Sequence, residues 1–191
     1  MNNEFIIYTE GNADEAIFRS IAERLYSEFN LPRNFIVKSR RKGGFLEVIK
    51  AIREHDAPCI GVVDKDKTPI HQNEINRFAL CFSSSNYNIY YKIINEHYKY
   101  LIVIDPAIEK WLFDSALEAG IKPRECGIPD DFKLFVEIAK TASRKNKFVN
   151  LFKKIYKQGI RPFNRIVLLT YLMAYYHFIG NPRRGSGGGA N

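Results

Sequence analysis

The chain of 191 residues carries 29 Lys and Arg against 21 Asp and Glu, a net charge of +8, and 46% of it is hydrophobic. That composition excludes a disordered chain, and the length suits one domain with a proper core rather than two large ones. The cysteines (Cys59, Cys81, Cys126) and histidines (His55, His71, His97, His177) are scattered without paired spacing, which argues against a disulfide framework or a zinc cluster.

Phe5-Ile6-Ile7-Tyr8 is an apolar run that predicts a buried strand, broken by Glu10-Gly11-Asn12. Ala16, Ile17, Ile21, Leu25 and Phe29 then recur at helical spacing, with Asn12 as the expected N-cap and Asp14 and Glu15 in the first turn. Residues 34–38 predict a second strand, Gly43-Gly44 a loop, and Phe45, Val48, Ile49 and Ile52 a second helix. Cys59 to Val63 predicts a third strand, ending directly in Asp64-Lys65-Asp66-Lys67. A short helix is expected over 74–82, strands over 87–94 and 100–104, and a helix from Pro106 to near Gly120.

This alternation implies an α/β fold with a mostly parallel sheet flanked by helices over residues 1–128. From Asp130 the pattern is wholly helical, with helices expected over 131–143, 146–158 and 163–179. Residues 129–184 are therefore expected to pack on the α/β part as a helical C-terminal extension, and the Gly-rich 185–191 to form a flexible tail. The start, Met-Asn-Asn-Glu-Phe, lacks the positive stretch of a secretory signal. The longest apolar run, Ile166–Ile179, is shorter than the about 20 residues a bilayer requires. A cytoplasmic protein without membrane attachment is expected.

Parallel α/β sheets work at the carboxyl ends of their strands. Three of the predicted strands end there in acids: Glu10, the pair Asp64 and Asp66, and Asp105, with Glu109 one turn further. Asp14, four residues after Glu10, can face the same side. Each acid alone is explained by a turn or a helix cap. Converging, they would repel one another unless a cation sat among them, and oxygen-only donors suit Mg²⁺ or Mn²⁺.

The segment Ile6-Ile7-Tyr8-Thr9-Glu10-Gly11-Asn12-Ala13-Asp14, with the later Gly61-Val62-Val63-Asp64-Lys65-Asp66, resembles the Toprim domain of topoisomerases, bacterial primases and OLD-type nucleases. The resemblance covers roughly the first 120 residues and is nearest to small OLD-type proteins. It implies a Toprim or Rossmann-like sheet, Glu10 as general acid/base or metal ligand, and Asp64 and Asp66 as metal ligands. By the same resemblance Asp14 would help bind a second metal, Glu109 of Ile104–Leu112 would be another ligand, and Lys147 or Lys145 would be a functional lysine. The glycine that primases carry after Asp-x-Asp is missing from Asp64–Pro69, and there is no P-loop, so any ATPase would be a separate chain. The implied chemistry is phosphodiester hydrolysis with one or two metal ions.

Residues 133–191 hold twelve Lys or Arg and the single acid Glu137, whereas residues 1–132 are slightly acidic. Arg40, Arg41 and Lys42 (with Lys38) and a longer series through Lys145, Lys153 and Lys154 are expected to contact nucleic-acid phosphates. The apolar segment 166–179 is expected to be buried, or, if one face stays open, to meet a partner or a second copy. Two rival readings are a non-catalytic nucleic-acid-binding subunit and an Asp-x-Asp phosphatase with Asp64 as nucleophile.

Overall fold

The computed structural model describes residues 3–29, 35–65, 68–141 and 145–179. Its elements run β1 (Asn3–Thr9), α1 (Asn12–Phe29), β2 (Phe35–Arg41), α2 (Phe45–Glu54), β3 (Cys59–Asp64), α3 (Pro69–Ile75), β4 (Ala79–Ser83), β5 (Tyr87–Ile94), β6 (His97–Ile104) and α4 (Ile108–Glu118). A short 3-10 turn over Pro123–Cys126 precedes α5 (Phe132–Ala139), α6 (Lys145–Lys157) and α7 (Arg161–Ile179). One sheet in the order β2-β1-β3-β6-β5-β4 organises them, giving the expected α/β, Rossmann-like architecture. The pairs β1–β2, β1–β3 and β3–β6 are parallel, and β5 and β4 add antiparallel to that core.

Period-2 alternation divides the strands between two cores. Phe5, Ile7, Ile60, Val62, Ile102 and Ile104 face α1, α4, α5, α6 and α7, while Ile6, Tyr8, Val63, Leu101 and Val103 face α2 and α3. Burial on both faces explains why these strands read as continuous apolar runs. The turn between β5 and β6 has Asn95 and Glu96 at φ 50° and 65°, the paired positive φ of a tight two-residue hairpin. Lys99 is buried beside Cys59, and its ammonium donates to the His55 and Ala57 carbonyls just beyond α2.

Three element expectations are corrected. The helix expected over 74–82 is replaced by α3, which starts earlier with Pro69 in its first turn, and by β4. β4 is an edge strand, mostly exposed, so no burial pattern marks it in the sequence. The second strand, expected to end at Lys38, runs on to Arg41 and so takes in Arg40 and Arg41. Asn12 is the first residue of α1, not its cap, because Gly11 accepts the first helical bond, from Glu15 N–H. The tail 185–191 lies outside the described residues.

The helices after Asp130 pack on the α/β part and share the α1-side core. Glu28 accepts from Tyr156 Oη at 2.6 Å and Arg24 stacks on the Tyr156 ring, while Lys153 pairs with Glu23. Residues 23 and 28 of α1 thus meet 153 and 156 of α6, so the two helices run parallel. α7 buries Ile166, Val167, Thr170, Met173 and Ala174 and leaves Leu168 and Tyr176 exposed, so it is buried on one side rather than all round.

Gly61 lets α2 lie close on β3: a Cβ there would stand 2.2 Å from Ile52 Cδ1 and 2.9 Å from Val48 Cγ1. Both neighbours are fully buried. Gly61→Ala should therefore destabilise the fold by about 1–3 kcal/mol in chemical denaturation. Adding Ile52→Val, which deletes the clashing methyl, should recover part of that loss, and strict additivity of the two changes would refute the close approach.

Candidate active site

The chain leaves β1 through α1 to β2 on one side, then returns through α2 to β3 on the other side of β1. Since α1 and α2 cover opposite faces, the crevice between the carboxyl ends of β1 and β3 is the sheet's topological switch point. Glu10 and Asp64 stand there. Glu10 Oε1 accepts from the Asp64 N–H at 2.8 Å, and Asp64 Oδ1 accepts from the N–H of Ile108, the first residue of α4, at 2.8 Å. Each carboxylate meets a backbone donor, which fixes its orientation.

Asp14 lies in the first turn of α1, and its Oδ2 accepts from Gly11 N–H at 2.9 Å. This is the reach of a helix's third residue back to its cap. Asp14 is buried, and burial first, then the nearby Glu109 carboxylate, push its carboxyl up to about 6. Asp64 is pushed up to about 8, chiefly by burial and then by the Asp14, Glu109 and Glu10 charges. Four of the five expected ligands therefore share one electrostatic neighbourhood. Asp66 lies outside the described residues, and Asp105 is taken up by an ion pair with Lys65 at 2.5 Å.

Among the described residues no three Asp, Glu, His or Cys side chains converge closely enough to hold a metal ion. The donor chemistry nonetheless fits a hard divalent cation, being carboxylate oxygen throughout. Two further oxygens on the same turn, Thr9 Oγ1 and Asn12 Oδ1, are buried and have no hydrogen-bond partner among the described residues.

The Lys42-Gly43-Gly44 loop folds over this edge: Lys42 N–H donates to the Thr9 carbonyl at 2.8 Å and Gly43 N–H to that of Glu10 at 3.1 Å. Gly43 at φ 91° and Gly44 at φ 150° occupy backbone that side chains disfavour. Lys42 Nζ rests 5.0 Å from the centre of the Tyr8 ring. Exposed Arg41 ends β2 level with Thr9, whereas Arg40 and Lys38 both pair with Glu4. Lys147 Nζ donates to the Gly127 carbonyl at 2.6 Å, tying α6 to the 3-10 turn. Lys154 pairs with Glu125 at 3.4 Å and Lys153 with Glu23 at 3.8 Å, so acids from other elements meet a series that has few of its own. The Lys145 side chain lies outside the described residues.

One interaction has no sequence signal. Asn12 Nδ2 donates to the Lys140 carbonyl at 3.0 Å, joining the Glu10 turn to the end of α5 across 128 residues. Lys140 therefore lies at the carboxylate end of α1.

Buried carboxyls at this edge set a pH dependence. Between the ordinary value of 3.8 and about 8 the folded protein keeps a proton on Asp64 that the unfolded chain releases, so stability falls as pH rises through that window. Asp14 acts in the same sense up to about 6. The melting temperature in chelator should fall from pH 5 to pH 8, and Asp64→Asn, which keeps the Ile108 acceptor, should flatten the fall and raise Tm at pH 8. A parent Tm that climbs over this range would contradict the burial.

No protein-family model, curated protein or solved structure matches the chain.

Proposed function

We propose that this chain is a Mg²⁺- or Mn²⁺-dependent nuclease of Toprim, OLD-like type that hydrolyses phosphodiesters in DNA or RNA. The observation that carries the reading is the Glu10–Asp64 pairing at the switch point, where two strands 54 residues apart deliver acids to one crevice. Glu10, Asp14, Asp64 and Glu109, with Asp66, would hold the cation. Bound there, it would polarise the phosphodiester and lower the pKa of water towards neutrality. In this reading Glu10, whose Oε1 accepts from the Asp64 N–H, would move the proton. Lys42 and Arg41 border the crevice, and they and the lysines of α6 would contact backbone phosphates.

A second reading, a non-catalytic nucleic-acid-binding subunit, is favoured by the structural work two of these acids do. Asp64 caps α4 and Asp14 caps α1. Incubating plasmid, linear DNA and RNA with Mg²⁺, Mn²⁺ or chelator separates the two. The nuclease reading expects chelator-sensitive cleavage that falls about a hundredfold or more in Glu10→Gln and Asp64→Asn. Affinity in chelator should be kept, since neither change adds negative charge beside a polyanion. Binding without any cleavage leaves the subunit reading, and variants that cut like the parent make the acids structural.

Charge reversal tests the basic surface. Lys153→Glu with Lys154→Glu should weaken binding to every nucleic-acid sequence alike. It should also flatten the salt dependence by about 0.9 in log–log slope for each phosphate no longer neutralised. Unchanged affinity and slope would assign these lysines to their Glu23 and Glu125 pairs alone.

A further inference from the structure

We infer that the side-chain oxygen of Asn12 belongs to the cation site, where it accepts a hydrogen bond from a water of the cation's shell beside Glu10 and Asp14. The inference rests on the metal-dependent reading above. Asn12 stands two residues from each of those acids, on the first turn of α1, and is 7% exposed. Its amide cannot be turned round: the Lys140 carbonyl only accepts, so Nδ2 must face it and Oδ1 must point elsewhere. That oxygen is buried and meets no donor among the described residues. A buried acceptor without a donor costs as much as a lost hydrogen bond, so it calls for a donor from outside the chain.

A second oxygen shares this condition. Thr9 Oγ1, on the other side of Glu10, is also buried and unpartnered. Among the described residues no other stretch of four holds two such atoms. A neutral oxygen suits this place physically. Carboxylates crowded round one cation repel one another, and an amide oxygen adds a ligand or a water anchor without adding charge. The Lys140 bond orients the amide, so Asn12 is a positioning residue and not a catalytic one.

Calorimetric titration of the full chain with Mn²⁺ tests this without relying on cleavage, with Tm recorded for each variant. Asn12→Ala and the near-isosteric Asn12→Leu remove the oxygen, while Asn12→Asp keeps it. All three lose the donor to Lys140. The expected pattern is Mn²⁺ binding weakened about three- to tenfold in Ala and Leu, and binding at least as tight as the parent in Asp. If Asp weakens as much as Ala and Leu, the Lys140 tether is the whole role of Asn12 and the inference is overturned. If the oxygen-free variants bind like the parent while Glu10→Gln and Asp64→Asn lose Mn²⁺, Asn12 falls out of the site and the metal reading stands. If the parent itself takes up no Mn²⁺, the metal reading fails and takes the inference with it.

Discussion

The bond from Asp64 N–H to Glu10 Oε1 sets the terms for this end of the molecule. It holds the ends of β1 and β3 level and brings two carboxylates into a half-buried crevice where Asp14 and Glu109 add to the same field. Backbone N–H groups offset part of the cost of placing acids there, while burial and mutual repulsion still push Asp64 up to about 8. Gly11 at the start of α1 and Ile108 at the start of α4 each turn an N–H on an acid, which uses the positive end of each helix. The Gly43 loop and the close seat of α2 on Gly61 fix the same edge from the other face. Helix starts, loop and close packing all serve the placement of those acids.

Charge is arranged differently over the rest of the surface. Along the C-terminal segments alone the lysines look uncompensated, but folding brings Glu23 to Lys153 and Glu125 to Lys154 on α6. These pairs are exposed, so each contributes at most about 1 kcal/mol and yields readily to a stronger anion. Phosphates spaced along a backbone are such an anion. A surface held by weak exchangeable pairs can stay ordered alone and still open to a polyanion.

The parts of the fold that the sequence announces are those with strong local signals. Apolar runs doubly buried in β1, β3 and β6, and the glycines after β2, are legible because one residue type answers one local demand. β4 reads as helix from its sequence because an exposed edge strand has no buried face to stamp a period on its residues. The site is legible as acids following strands, since strand ends are readable and chain order fixes the sheet edge. Asn12 reads as a cap, because local propensity is blind to a carbonyl 128 residues away. The pairing of Lys153 with Glu23 and of Lys65 with Asp105 is hidden for the same reason: both depend on tertiary neighbours.

The sequence separations across the site bear on when it comes into being. The β5–β6 hairpin closes over two residues and can form early, whereas the Asp64–Ile108 bond spans 44 residues, Glu10–Asp64 spans 54 and Asn12–Lys140 spans 128. Interactions that close long loops reward their entropy cost only after much of the chain is ordered. During synthesis the acids of β1 and β3 are made well before the segment that anchors Asn12, and that segment arrives with the basic helices. A chain halted before Lys140 therefore lacks both the tether and the lysines of α6.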